Sequence, residues 1–393
     1  MTVEGLTINS LKKKDLLTLG FMMFSIYFGA GNLIFAPALG QAAGDHTLLA
    51  MLGFMTTGIG LPLLGITAIA LAGGEYVPLL HAKTWPRFAT VLLVILYLII
   101  GPLFAMPRTG AVSFEIGIRP FLSADNLALG QIIYTAIFFA SSYYLALNPN
   151  KIIDRVGRML TPALLIVLLI LFVQAFHAPL GAILPATGAY IDAPFAQGFQ
   201  DGYQTMDLLA SIAIGALVAN AVRMRGITDS RAVGAACLVS GLITVMLMAA
   251  VYGSLAYIGA TSTSILGQAE NGGQILSAAV GIFFGSAGNL LLAVIIGLAC
   301  LTTCCGITSS AAMFFNKLLK GRVSYERLLL FSILFSFAAS NVGLTQIIAL
   351  AIPFLVTIYP LIIVFVILSL FDRFIGWRKS IYQGAMALTL VFS

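Results

Sequence analysis

The chain reads as a series of long apolar runs separated by short polar stretches. Residues 48–73 hold no charged side chain, and neither do residues 232–259. Each run exceeds the roughly 20 residues that a helix needs to cross the hydrocarbon core of a bilayer. A chain in lipid must satisfy its backbone groups internally, and these runs are too long for barrel strands, so the pattern predicts transmembrane helices. Ten helices are predicted, at 16–41, 48–73, 88–117, 128–147, 160–176, 203–221, 232–259, 290–315, 328–344 and 346–371. An eleventh opens near Ile381, and because the sequence stops at Ser393 inside an apolar run, more chain is expected beyond it.

The polar positions orient these helices. With the N-terminus placed inside, the inner segments hold Lys12, Lys13, Lys14, Lys83, Arg87, Lys151, Arg155, Arg158, Arg223, Arg225 and Arg231. They also hold Lys317, Lys320, Arg322, Arg327, Arg373, Arg378 and Lys379. Of the 20 basic residues this leaves Arg119 in an outer loop and Arg108 within the third helix. Basic residues on alternate loops are the signature of a multi-pass protein with a cytoplasmic N-terminus. One missed span would scramble every later loop, so the asymmetry also supports the helix count. The resulting division is a cytoplasmic segment at 1–15, a first five-helix half at 16–176, an extracellular loop at 177–202, a second half at 203–371, and the start of helix eleven at 372–393.

Composition agrees and removes alternatives. Apolar residues make up 60% of the 393 and charged residues 9%, against roughly 25% charged in soluble domains. The formal charge of +6 does not point to nucleic acid, because the basic residues sit in short inter-helix loops. Cys237, Cys300, Cys304 and Cys305 lie in apolar runs without metal-ligand spacing and read as small apolar filler. The N-terminus has no signal-peptide pattern, since its first apolar run is far longer than a signal core. His46, His81 and His177 stand at span ends without the clustering an enzyme needs, and no filter-like repeat suggests a channel.

Three helices carry features a plain span would not. The first contains Phe28-Gly29-Ala30-Gly31-Asn32, with Pro37 beyond. Two glycines weaken a helix, and Asn32 needs a hydrogen-bond partner in hydrocarbon. Close helix packing explains many such glycine pairs, and a broken, site-lining helix is the sharper reading. The sixth opens with Gly202-Tyr203-Gln204-Thr205-Met206-Asp207. An acid at a helix centre costs roughly 2.5–3.5 kcal/mol, so Asp207 is either interfacial or functional. The third carries Pro107, expected to break a backbone hydrogen bond, with Arg108 and Glu115 seven residues apart on one face. These two are too distant to pair and are expected to bond to other helices, as a structural network or an outer gate.

The first and sixth helices occupy corresponding places in two five-helix halves of opposite orientation. Interrupted helices at corresponding positions of inverted halves point to a substrate site at the midplane. Helix ends at such breaks offer N–H groups to a carboxylate and C=O groups to an amine or cation. A zwitterionic amino acid fits without a side-chain charge. In the eighth helix Ala299-Cys300-Leu301-Thr302-Thr303 opens a dense hydroxyl run reaching Ser310. Such hydroxyls can bond back to their own helix, or serve as hard ligands for Na⁺ beside a helix break.

Together these residues resemble the bacterial branched-chain amino acid:cation symporter family along the whole chain. The resemblance rests on Gly20-Phe21-Met22, Phe28-Gly29-Ala30-Gly31-Asn32-Leu33-Ile34-Phe35, Gly101-Pro102-Leu103-Phe104-Ala105 and Pro107-Arg108-Thr109. It extends through Val112-Ser113-Phe114-Glu115, Gly202-Tyr203, Thr205-Met206-Asp207, Ser340-Asn341 and Gly343-Leu344. It implies an all-α, five-plus-five inverted-repeat core of the leucine-transporter type with broken first and sixth helices. It implies import of leucine, isoleucine and valine into the bacterial cytoplasm by symport across the inner membrane, with Na⁺ as coupling ion and H⁺ as the alternative. No organic cofactor is implied, and the partners are the branched-chain L-amino acid and the lipid bilayer. By this resemblance Gly29, Ala30, Gly31, Asn32, Tyr203, Met206, Asp207 and Ile307 would meet the substrate. The ion would be held by carbonyls of Ser25, Phe28 and Ala299 and the hydroxyls of Thr302 and Thr303, with Cys300 where relatives have glycine. Because a buried methylene is worth about 0.8 kcal/mol, one site should discriminate only modestly among the three substrates. A different solute carried on the same fold is the remaining alternative.

Overall fold

A computed structural model describes residues 13–73, 76–147, 149–227 and 229–393. Residues 1–12, most of the expected cytoplasmic segment, lie outside these, as do the side chains of Ala30, Lys151, Arg155, Arg158 and Arg373. The described elements are all helical. In order they are α1 (Lys13–Tyr27), α2 (Ala30–Ala43), α3 (Thr47–Met55), α4 (Leu61–Leu71), α5 (Tyr76–Lys83), α6 (Pro86–Leu98), α7 (Ala105–Gly117) and α8 (Leu127–Ala146). There follow α9 (Pro149–His177), α10 (Pro194–Asp201), α11 (Asp207–Arg223), α12 (Ser230–Leu266), α13 (Gly272–Leu318), α14 (Tyr325–Ser340), α15 (Leu344–Ile375) and α16 (Lys379–Phe392).

Six described stretches are long and apolar enough to cross a membrane by length and composition alone, and Pro194–Arg223 joins them when its bent halves are taken together. The surface fits that reading. Leu129, Ile133, Ile137, Leu169, Met246 and Phe331 are all exposed, while Asn32, Arg108, Glu115 and Asp207 are buried. Apolar side chains outward and ionisable ones inward is the distribution that lipid imposes.

The first span is broken where the sequence weakens it. α1 stops at Tyr27 and α2 starts at Ala30. Gly29 between them is extended, at φ −122° and ψ −170°. The side chain of Asn32 caps the new helix by accepting from the Gly29 N–H at 3.2 Å, which satisfies a donor that would otherwise be stranded in an apolar interior.

Three expectations are corrected. The sixth span begins earlier than residue 203: α10 (Pro194–Asp201) and a 3₁₀ turn (Gly202–Thr205) precede it, so Asp207 lies at an internal break and is not interfacial. Pro194 starts this helix at a position where its missing N–H costs nothing. The stretch left between the seventh and eighth predicted helices, 260–289, is mostly helical too, since α12 runs on to Leu266 and α13 starts at Gly272, bending at Gly285 with φ +64°. Pro107 does not break the third span. It sits in the first turn of α7, where no intrahelical bond is lost. The disruption is one turn upstream, in a π turn over Ile99–Leu103 where Gly101 leaves helical geometry at ψ −125°.

Two large apolar clusters form most of the core of the described residues. One gathers residues of α1, α2, α3, α9 and α12. The other gathers α6, the start of α11, α15 and α16.

Candidate functional site

The site forms where the broken first and sixth spans face each other. α11 starts at Asp207, immediately after Met206, which adopts the left-handed conformation at φ +63° and ψ 11°. Such a backbone is uncommon for a non-glycine residue. Local bonds hold it: the Met206 N–H donates to the Tyr203 carbonyl at 3.0 Å and the Asp207 N–H to Thr205 Oγ1 at 3.3 Å.

A polar knot ties the two breaks together. Asn32 Nδ2 donates to Asp207 Oδ2 at 2.9 Å and also bonds the hydroxyl of Tyr252 on α12. The Tyr252 hydroxyl donates to the same Asp207 oxygen at 3.4 Å. One carboxamide therefore caps α2 with its oxygen and reaches α11 with its nitrogen. All three side chains are buried.

Arg108 bridges to the other side of the sixth-span break. Its Nη1 donates to the Gln204 carbonyl at 2.5 Å and its Nη2 to the Thr205 carbonyl at 3.3 Å. These carbonyls belong to the 3₁₀ turn that follows α10, where carbonyls left without an intrahelical partner favour a cation. The guanidinium also lies 5.1 Å from the ring centroid of Phe35 on α2. A Cβ at Gly31 would come within 2.7 Å of Arg108 Nη2, so only glycine allows the guanidinium to lie this close to α2.

The eighth-span residues divide. A Cβ on Gly29 would meet Thr303 Cγ2 at 3.3 Å and Oγ1 at 3.5 Å, so Thr303 faces the first break directly. Thr302 instead bonds back to the Ala299 carbonyl at 2.9 Å. Ser25 is half-buried on α1, and Phe28 is buried at its end with its ring stacked on Phe24 at 5.1 Å. Ile307, one turn beyond Thr303, packs against both apolar cores. Tyr203 is stacked on Tyr359 of α15, with ring centroids 4.3 Å apart.

Glu115 belongs elsewhere. It pairs at 2.6 Å with Arg119, just past the end of α7, and accepts from Asn271 and Gln274 at 3.1 and 2.9 Å. It anchors the start of α13 and makes no contact with Arg108, which the seven-residue spacing already disfavoured. Sequence reasoning missed Tyr252 and Gln204. The signal for Tyr252 was the unmet polar need of Asn32, which required a partner on another span.

Comparison with known proteins gives this geometry a setting. The family model described as "Branched-chain amino acid transport protein" matches residues 12–393. The chain is 47% identical over 385 residues to the branched-chain amino acid permease BraB of Bacillus subtilis, covering 98% of this chain and 86% of that protein. It is 46% identical over 382 residues to the branched-chain amino acid transport system 2 carrier protein of Pseudomonas aeruginosa, covering 97% and 86%. It is 41% identical over 386 residues to the branched-chain amino acid permease BrnQ of Escherichia coli K12, covering 98% and 86%. Among solved structures, MhsT in complex with L-phenylalanine matches with a TM-score of 0.63 at 16% identity, over 94% of this chain and 91% of that one. Mhp1, a nucleobase-cation-symport-1 family transporter, matches with a TM-score of 0.59 at 14% identity, over 92% and 78%. At such identities the likeness shows the fold alone: the five-plus-five, leucine-transporter-type architecture whose first and sixth helices are broken.

Proposed function

The chain belongs to the branched-chain amino acid transport protein family and is a branched-chain amino acid transporter, not an enzyme; from that premise we propose that it imports leucine, isoleucine and valine by Na⁺ symport through alternating access. The observation that carries this reading is the knot of Asn32, Asp207 and Tyr252, which places the ends of both broken helices around one buried point. The N-terminus of α2 offers N–H groups to the substrate carboxylate, as any helix start does. Asp207 and the carbonyl end of α1 suit its ammonium group. Met206 and Ile307 supply apolar wall for the branched side chain.

Na⁺ would be held between the first and eighth spans. Carbonyls at Ser25, Phe28 and Ala299 and the hydroxyls of Thr302 and Thr303 form a hard, all-oxygen donor set, and the placement of Thr303 against Gly29 supports it. Bound there, the ion would join α1 to α13 and prepare the break for substrate. The basic loops support insertion in the bacterial inner membrane with the N-terminus in the cytoplasm. Arg108, clamping the 3₁₀ turn after α10, serves as a gate element beside the substrate.

The test is leucine uptake into proteoliposomes under separate Na⁺ and H⁺ gradients. Uptake should follow the Na⁺ gradient. Thr303→Ala should raise the Na⁺ concentration for half-maximal uptake roughly tenfold or more, in line with the 10–100-fold cost of disturbing even an outer metal-site partner. Uptake driven by H⁺ alone, or an unchanged Na⁺ requirement in the variant, would remove the ion assignment.

A further inference from the structure

A second cluster of charged and aromatic side chains lies away from the two breaks, where α5, the end of α15 and the start of α16 meet. The Lys83 ammonium of α5 pairs with Asp372 of α15 at 2.6 Å and donates to the Trp377 carbonyl, between α15 and α16, at 3.4 Å. It also lies 5.2 Å from the ring centroid of Tyr382 on α16, within cation–π range. Behind the pair an aromatic chain runs through all three helices. Tyr76 of α5 packs edge-on against Phe365 of α15 at 5.1 Å, and Phe365 lies 5.6 Å from Tyr382. Tyr382 is wholly buried, so α16, which lies outside the ten-helix core, is built into this joint.

The joint is held but not satisfied. Ser369 Oγ, Asp372 Oδ1, Trp377 Nε1 and the hydroxyls of Tyr76 and Tyr382 are buried without a hydrogen-bond partner. Buried polar groups are nearly always paired, and each unmet one raises the energy of the closed joint. Water meets those atoms once the joint parts, so an open arrangement lies close in energy to the closed one. The joint also stands between groups of helices that pack separately. α4, which leads into α5, packs with α11 and α12, the helices that carry Asp207 and Tyr252. α7, α8, α13 and α14 pack with one another, and α15 lies against both α4 and α7. A shift of α4, α11 and α12 past α15 therefore pulls Lys83 off Asp372 and Tyr382.

We propose that Lys83, Asp372 and Tyr382 form a latch that fastens α5 to α15 and α16 in one state of the transport cycle and parts in the other. Lys83, Arg378 and Lys379 belong to the basic segments, which puts the latch at the cytoplasmic end. The eleventh helix is then a working part of the transporter and not an appendage to its core. The inference rests on the alternating-access reading, and not on the ion ligands or the substrate contacts.

The experiment ties the joint shut. The full chain carrying Lys83→Cys and Asp372→Cys is treated in proteoliposomes with a short, reducible bifunctional thiol reagent. Cys237, Cys300, Cys304 and Cys305 are buried, and wild-type chain under the same reagent is the control. The tie should lower leucine uptake tenfold or more, and reduction should restore it, which separates arrest from misfolding. Uptake that continues with the tie in place would overturn the proposal, since a joint that stays closed through the cycle is only structural. Without any tie, Lys83→Met should raise the leucine concentration for half-maximal uptake up to about fivefold, the size of one partly exposed ion pair. The charge swap of Lys83→Asp with Asp372→Lys should return it to the wild-type value, and a swap no better than Lys83→Met would remove the pair from the latch. Thr303→Ala leaves Lys83 and Asp372 untouched, so failure of the ion site and failure of the latch are read separately.

Discussion

The two helix breaks do the same job with opposite chemistry. The break in the first span is made by small residues and closed by its own sequence: Gly29 is extended, and Asn32, three residues on, caps the helix that restarts. The break in the sixth span falls on Met206, a residue that favours helices, held in a left-handed conformation. The first stores no backbone strain, since any residue can adopt the Gly29 conformation. The second stores about 1–2 kcal/mol, and surrounding groups hold it there: Arg108 on the carbonyls of the 3₁₀ turn, Thr205 beside the break, and Asn32 from the other span. One break is therefore local, and the other depends on the tertiary structure.

The largest expected effect removes the external support. Arg108→Met keeps the apolar stem and deletes the guanidinium that bonds the Gln204 and Thr205 carbonyls. Each buried carbonyl left without a donor costs about 1–3 kcal/mol. Leucine uptake should fall by about a hundredfold or more, and the thermal midpoint of the purified protein should fall with it. Arg108→Lys should restore little, because an ammonium cannot span two carbonyls as the planar fork does. A full rescue by lysine would show that charge alone matters, and that the sixth break does not depend on the clamp.

The next effect separates the two glycines of the first span. Gly31 lies within α2, and its missing side chain makes room for Arg108. Gly31→Ala forces the guanidinium off Phe35 and the Gln204 and Thr205 carbonyls, an overpacking cost of typically 1–3 kcal/mol. Uptake should drop about tenfold or more. Gly29→Ala meets only the far end of Thr303, at 3.3 Å, in a backbone conformation open to alanine. It should cost less than Gly31→Ala, and uptake assays on the pair check the order. The reverse order would mean that the first break needs glycine flexibility after all.

That contrast explains what was legible in the sequence. Gly29-Ala30-Gly31-Asn32 announced a break, although the glycines serve it unequally and one of them is a packing residue for a distant arginine. Asn32 advertised a missing partner, but Tyr252 in an apolar span looks like any aromatic core residue until α12 is placed against α2. The sixth break was pointed to only by the charge on Asp207, because nothing in the local preference of methionine marks a left-handed turn. Residues 194–201 read as loop for a related reason. Their Pro, Gln and Asp content is polar, and they become helix by packing α10 against α3. In the eighth span the hydroxyl run was visible as a whole, yet only three-dimensional placement shows that Thr303 faces Gly29 while Thr302 bonds its own helix.

The smallest effect tests the strain at Met206 directly. Met206 is buried, so Met206→Ala and Met206→Gly both lose its side-chain packing to nearly the same degree. Their difference then isolates the backbone. Within a helix glycine is about 1 kcal/mol worse than alanine. At a left-handed position the order reverses, because alanine keeps the clash of Cβ with its neighbouring carbonyl and glycine does not. Met206→Gly should therefore be more stable than Met206→Ala by about 1 kcal/mol, read as a higher thermal midpoint in the same detergent. An alanine variant that is equally or more stable would mean that the left-handed turn is not held in the resting protein. The asymmetry between a self-contained first break and an externally held sixth break would then disappear.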